Sequence, residues 1–280
     1  MITLQNLHTH SQWCDGKNGV EELLLNAMEQ GFDSVGFSGH SPMFYAPEHG
    51  IAEGDVQGYI ADVRTMKDKY RGQMEVFCGI ELDLYSRLDL EPYDYIIGSV
   101  HYLKIHGEYV GFDRNAATVK SVIDTYFGGD GLAYAKAYYQ TLATLPTRGR
   151  IDVVGHFDLI TKHAENVSFF DEDSPAYRRL ALEAIEALLP KAPLFEINTG
   201  AIARGYRTTP YPSAFLLREI QQRGGGIIIS SDCHDMHRLG QSFGDAIALA
   251  RECGFTHTHV LTEQGFVPIS LNDMERKLKA

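Results

Sequence analysis

Nine side chains able to hold a metal ion recur along the sequence. His8-Thr9-His10 is followed five residues on by Asp15; His40, Glu81, His101 and His156 come singly; Asp232-Cys233-His234 closes the series. Neutral imidazoles and carboxylates without thiolate suit Zn, Mn or Fe in a catalytic setting better than a cysteine-rich structural zinc site. A lone histidine such as His40, His101 or His156 is ordinarily a hydrogen-bonded structural residue. A second H-x-H pair, His257-Thr258-His259, has no carboxylate nearby and reads as surface or late-strand structure. The weight lies in where the nine fall.

Each follows a short apolar run. Strands are expected at Leu4–His8, Ser34–Phe37, Glu75–Ile80, Tyr95–Val100, Ile151–Gly155, Leu194–Asn198 and Gly226–Ser230. Helical periodicity lies between them, at Val20–Gln30, Tyr59–Tyr70, Tyr177–Leu189, Ala214–Arg223 and Phe243–Cys253, with Gly31 and Gly254 as helix stops. Alternating strand and helix imply a parallel sheet. Seven strands suggest a (β/α) barrel; an open doubly wound sheet is the rival, weakened by the lack of G-x-G-x-x-G after the first strand. In a barrel the strand C-termini converge on one face, which would bring the nine groups to one mouth. Residues i and i+2 of a strand share a face, so His8 pairs with His10 and Asp232 with His234, while Cys233 points away. Residues 115–145 lack a strand pattern and contain two helices broken at Gly128-Gly129-Asp130-Gly131, part of a helical rim insertion at about 102–146.

The 280 residues read as one domain, 1–280. The formal charge of −12, with no basic run, argues against nucleic acid or an anionic membrane as partner. No signal segment or membrane span is evident, and the four cysteines form no C-x-x-C pair, so a reduced, cytoplasmic setting is expected. The oligomeric state is not written in the sequence.

The motifs HTH (8–10), Asp15, SGH (38–40), GIE (79–81), GSVH (98–101), GHFD (155–158) and SDCH (231–234) resemble the polymerase-and-histidinol-phosphatase (PHP) superfamily over nearly the whole chain. GSVHYL (98–103), YFGGDGLAYAKAYY (126–139), EINTGAIAR (196–204) and Gly240 are similar to its histidinol-phosphatase family. The resemblance implies a distorted (β/α)7 TIM-like barrel with a site for three divalent ions (Zn, Mn or Fe) at the C-terminal ends of the strands. It assigns His8, His10, Glu81 and Asp232 to one ion, Asp15, His40 and His234 to a second, and Glu81, His101 and His156 to a third. Some relatives carry His in place of Asp15.

The implied reaction is hydrolysis of L-histidinol phosphate, a small phosphate monoester, to L-histidinol and phosphate in histidine biosynthesis. A hydroxide bridging two ions would attack phosphorus, with Glu81, Asp232 and His234 acting through the metals. Arg204 is the expected phosphate clamp, with Lys162 as a second cation. Asp235 and His237 follow the last ligands and are candidate proton donors. Tyr102, Tyr126 and Phe127 are candidate walls for an imidazole, although packing suits most of them. The alternatives are a PHP phosphoesterase acting on another small phosphate or a nucleotide, a non-catalytic PHP module, and an amidohydrolase-like deacylase. The last ordinarily needs a ligating lysine, which no strand end supplies.

Overall fold

The structure, a computed structural model, describes residues 2–280. Seven strands, Gln5–Asn6, Ser34–Phe37, Glu75–Asp83, Tyr95–Ser99, Val153–Val154, Leu194–Asn198 and Gly226–Ser230, form one sheet in chain order. Every neighbouring pair is parallel. The first and last strands meet through a lone bridge between Thr9 and Cys233. There His10 N–H donates to Cys233 O at 2.8 Å, and Cys233 N–H to His8 O at 3.0 Å. The sheet is thus a nearly closed (β/α)7 barrel, as the alternation of elements predicts. The third strand runs past Ile80 to Asp83 and takes Glu81 into the ladder; the first and fifth keep only two ladder residues each.

Period-two alternation divides the core. Leu7, Phe77, Tyr95, Ile97, Val153, Leu194 and Ile228 face the barrel axis, with Leu261 added from the C-terminal hairpin. The intervening Val35, Val76, Ile80, Val154, Phe195 and Ile229 pack outward with the helices. Tyr95 crosses the interior, its hydroxyl donating to Leu7 O. A Cβ on Gly36 or Gly79 would stand 2.4 or 2.2 Å from atoms of Tyr95, so only glycine fits at either place. Along the third strand Phe77, Gly79 and Glu81 thus share a face: an apolar floor, a gap filled by Tyr95, then a carboxylate.

Helices Val20–Glu29, Val56–Lys69, Pro175–Leu188, Ala214–Gln222 and Phe243–Glu252 lie close to their expected positions. The rim insertion contains its two helices, Ala116–Phe127 and Gly131–Leu142, capped by the side chains of Asn115 and Asp130. It opens, however, as a hairpin of Tyr102–Ile105 with Glu108–Gly111 and is not helical throughout. The turn residues His106 and Gly107 have φ of 51° and 90°, the positive values of a tight hairpin turn. His257 and His259 lie on a late strand, His257–Thr262, paired with Gly265–Ser270; His259 Nδ1 sits 3.2 Å from Ile227 O, away from the mouth. No helix among the described residues is long and apolar enough to cross a membrane.

Candidate metal centre

All nine candidate ligands meet at the C-terminal mouth of the barrel. Glu81 is at their centre, 1% exposed. Its Oε2 lies 2.6 Å from His40 Nδ1, 3.4 Å from His8 Nε2 and 3.6 Å from His10 Nε2. Its Oε1 lies 2.9 Å from His156 Nε2 and 3.4 Å from His101 Nε2. The two oxygens therefore serve two different groups of imidazoles. Asp232 Oδ1 is 3.1 Å from His10 Nε2, 3.5 Å from His234 Nδ1 and 3.7 Å from His8 Nε2. Asp15 approaches His234 Nε2 at 3.3 Å, His10 Nδ1 at 3.5 Å and His40 Nε2 at 3.7 Å.

Three sets have ligand atoms within 4.8 Å of one another: His10 with Asp15, His40 and His234; His8 with His10 and Asp232; and His40 with Glu81 and His101. His10 and His40 each belong to two sets, a sharing that the resemblance does not imply. His156 belongs to none of the three sets and reaches the cluster through Glu81 and against the His101 ring.

The donors fit cations. Nε2 of His8 and Nε2 of His10 are buried atoms without a hydrogen-bond partner, both turned toward Oε2 of Glu81. Folded proteins rarely leave such groups unsatisfied, and nitrogen and carboxylate donors together match a divalent transition metal.

The electrostatics of the mouth pull in two directions. Burial alone would raise the Glu81 carboxyl, but His40, His8 and His101 hold it well below the ordinary carboxylate range. Burial acts likewise on Asp232, where Arg204 and His8 more than offset it. Burial, with His234 and His40 crowding in, pushes His10 down to about 3, leaving a neutral imidazole. His8, His40 and His101 go the other way: burial lowers each, but Glu196, Glu81 and Asp232 raise His8 well above its usual value, and Glu81 above all raises His40 and His101.

Two buried carboxylates that hold the ligands were not singled out from sequence. Glu196, fully buried, takes four donors. His8 Nδ1 lies 2.6 Å from Oε1, the His156 N–H and Asn198 Nδ2 each donate to Oε2 at 2.9 Å, and the Ser230 hydroxyl donates to Oε1. Asp83 accepts the His101 N–H at 3.0 Å. The available signal was positional: Glu196 and Asn198 stand i, i+2 in an apolar strand, as Glu81 and Asp83 do.

The mouth opens into a cavity of about 510 Å³, whose walls include Tyr102, Asp113, Arg114, Lys162, Arg204 and Tyr206. Arg204 Nη2 lies 2.9 Å from Asp232 Oδ2, and Nη1 is 3.1 Å from His234 Nδ1. Lys162 Nζ bonds Asp113 Oδ2 at 2.9 Å and lies 4.9 Å above the Tyr206 ring. Burial would raise Asp113, but Lys162 and His101 hold it down at about 2. The structure does not bring Asp235 and His237 into the cavity wall. Asp235 pairs with Lys17 at 2.9 Å and accepts the His237 N–H at 3.1 Å, capping the turn Met236–Arg238, while the His237 side chain is exposed. Of the three candidate aromatics only Tyr102 lines the cavity; Tyr126 donates to Glu108, and Phe127 packs edge-on against Tyr134.

Residues 6–200 match the family model described as PHP domain. A probable histidinol-phosphatase of Deinococcus radiodurans is 28% identical over 268 residues, 91% of this chain and 95% of its own. A putative histidinol phosphatase structure from Listeria monocytogenes superposes with a TM-score of 0.74 at 20% identity, covering 86% of this chain and 99% of that one. The histidinol phosphate phosphatase of Lactococcus lactis, solved with zinc, L-histidinol and phosphate, gives 0.70 at 18% identity, covering 95% of this chain and 100% of that one. These two structures share the barrel fold.

Proposed function

The chain belongs to the PHP domain family, and from that premise we propose that it is a metal-dependent histidinol-phosphatase of the cytosol. The observation that carries this reading is the convergence of nine imidazole and carboxylate groups on one mouth, with the buried, unpaired Nε2 atoms of His8 and His10 facing Glu81. The Deinococcus radiodurans relative, matched over nearly the full length of both chains, bears the name probable histidinol-phosphatase.

His8, His10, Asp15, His40, Glu81, His101, His156, Asp232 and His234 would hold up to three divalent ions, with Glu81 shared between two of them through its separate oxygens. When bound, the ions supply positive charge that offsets the dianionic ester and lower the pKa of water from 15.7 toward about 7. The protein supplies the rest. Glu196 orients His8 and the His156 backbone; Arg204 holds Asp232 and presents its guanidinium at the cavity wall for phosphate. Lys162 adds a point charge whose reach is set by Asp113. Asp113 and Tyr102 offer an anionic and an aromatic wall to a substrate bearing an ammonium and an imidazole.

Phosphate release from L-histidinol phosphate, measured against a panel of small esters and nucleotides before and after chelation, tests this. Histidinol phosphate should lead the panel in kcat/KM, since a polar site discriminates against esters that leave its groups unpaired. Equal turnover across the panel would favour a PHP phosphoesterase of another small phosphate. Undiminished turnover after complete chelation would defeat the metal reading.

A further inference from the structure

Asp83 stands two residues beyond Glu81 on the same face of the third strand and is 2% exposed. A carboxylate so placed is costly unless its oxygens are satisfied. Oδ1 receives the Tyr45 hydroxyl and the Tyr85 N–H, the latter at 3.1 Å. Oδ2 receives the His101 N–H at 3.0 Å and lies 3.4 Å from His101 Nδ1, a buried atom with no other polar partner and no hydrogen bond of good geometry to Asp83. The other ring nitrogen, Nε2, faces Glu81 Oε1 at 3.4 Å. A proton held on Nδ1 toward Asp83 leaves the Nε2 lone pair for the mouth, the arrangement by which a carboxylate fixes the tautomer of a ligand histidine.

Tyr45 connects this carboxylate to the cavity rim. It belongs to the segment 41–50, from which Met43 and His49 line the cavity. Its ring stacks on Tyr109 of the rim hairpin at 4.4 Å and 16°, and meets Tyr102 edge-on at 4.9 Å. Ser41, in the same segment, accepts the Asp83 N–H at 3.0 Å. One half-buried phenol thus ties together a loop, a hairpin and the carboxylate beneath His101.

We infer that Asp83 and Tyr45 form a positioning unit that sets the orientation of His101 for a divalent cation and seats the 41–50 segment on it. The inference rests on the metal reading above and not on the identity of the phosphate ester. If Asp83 served only to cap the turn at Tyr85 and Ser86, its replacement would alter stability and leave ion affinity alone.

Metal-stripped wild type, Asp83→Asn, Tyr45→Phe and the double variant should be titrated with Zn²⁺ against a chromophoric chelator, and with Co²⁺ by absorption spectroscopy. Asp83→Asn should weaken one class of site by about 10–100-fold and shift its Co²⁺ band, with the remaining ions bound as in wild type. Tyr45→Phe should weaken the same class by less, and the double variant should be no weaker than Asp83→Asn, since residues in one network are not additive. Wild-type Zn²⁺ affinity in Asp83→Asn, or independent additive losses, would overturn the inference. If Asp83→Asn does not fold, Tyr45→Phe alone decides: a weakened site with a shifted Co²⁺ band supports the unit, and an unaltered titration overturns it. A wild-type chain that takes up no Zn²⁺ would overturn both this and the metal reading. One that binds Zn²⁺ normally but ignores histidinol phosphate would overturn only the assigned substrate.

Discussion

Glutamine in place of Glu196 keeps the side chain's shape and exchanges one acceptor oxygen for a donor. A carboxylate offers about four lone-pair sites, and Glu196 fills them with four donors. The new amide nitrogen has two places to go. On the Oε2 side it meets the His156 backbone N–H, which cannot change role, and the Asn198 amide, whose oxygen already accepts from Gly200 N–H at 2.8 Å. On the Oε1 side it meets the Ser230 hydroxyl, which can rotate to accept, and His8, which can move its proton from Nδ1 to Nε2. The second arrangement leaves no buried donor opposed to a donor, so the fold should choose it. Its consequence is that a neutral His8, the form a bound ion requires, then points an N–H, not a lone pair, at the mouth. The lost charge-assisted bond should cost about 1.5–3 kcal/mol, a fall of several degrees in Tm. Zn²⁺ affinity should drop by about 10–100-fold. Calorimetric titration and thermal melts of metal-stripped protein measure both. Wild-type Zn²⁺ affinity in a folded Glu196→Gln protein would refute the tautomer reasoning.

Glu81→Ala removes the carboxylate common to five imidazoles and should leave the protein inactive and with less bound metal; full metal content by elemental analysis would exclude Glu81 as a ligand. Arg204→Ala should raise KM for the phosphate ester by about tenfold or more with metal retained, the loss expected of a charge-assisted contact, and an unchanged KM would remove Arg204 from the phosphate site. Glu172 is raised to about 7 by burial first and then by Asp158. The folded state therefore binds an extra proton between the ordinary value of 4.5 and about 7, and stability falls as pH rises through that window. Glu172→Gln should accordingly gain on the order of 1 kcal/mol over wild type near pH 8, after discounting for solvent screening, and little near pH 4. Equal gains in Tm at both pH values would exclude Glu172 as the source.

The barrel and the convergence of donors were legible because both follow local rules. A strand's period of two and a helix's of 3.6 mark the elements, and parallel alternation brings every strand end to the same side. Glu196 was harder, because its partner His8 lies 188 residues away and nothing near Glu196 in sequence shows the contact. Inside LFEIN it reads only as an interruption of an apolar strand. Asp83 was obscured by the expectation that its strand ends at Ile80. The rim hairpin was missed since four-residue strands carry too little alternation to register. Asp235 and His237 illustrate the converse: proximity in sequence to the last ligands suggested a role, while Lys17 and the capping of a short turn direct Asp235 elsewhere.

The seam between the first and last strands has a further consequence. Six of the seven junctions in the wall are laddered, whereas this one has a single bridge at Thr9 and Cys233. His8 and His10 stand on one lip and Asp232 on the other, so a cation gripped by all three would act as a clasp on the wall's thinnest joint. Stripping the ion should therefore speed hydrogen exchange at the amides of His10 and Cys233 before it touches the laddered strands. The last step in closing the ring and the loading of the mouth would then be one event.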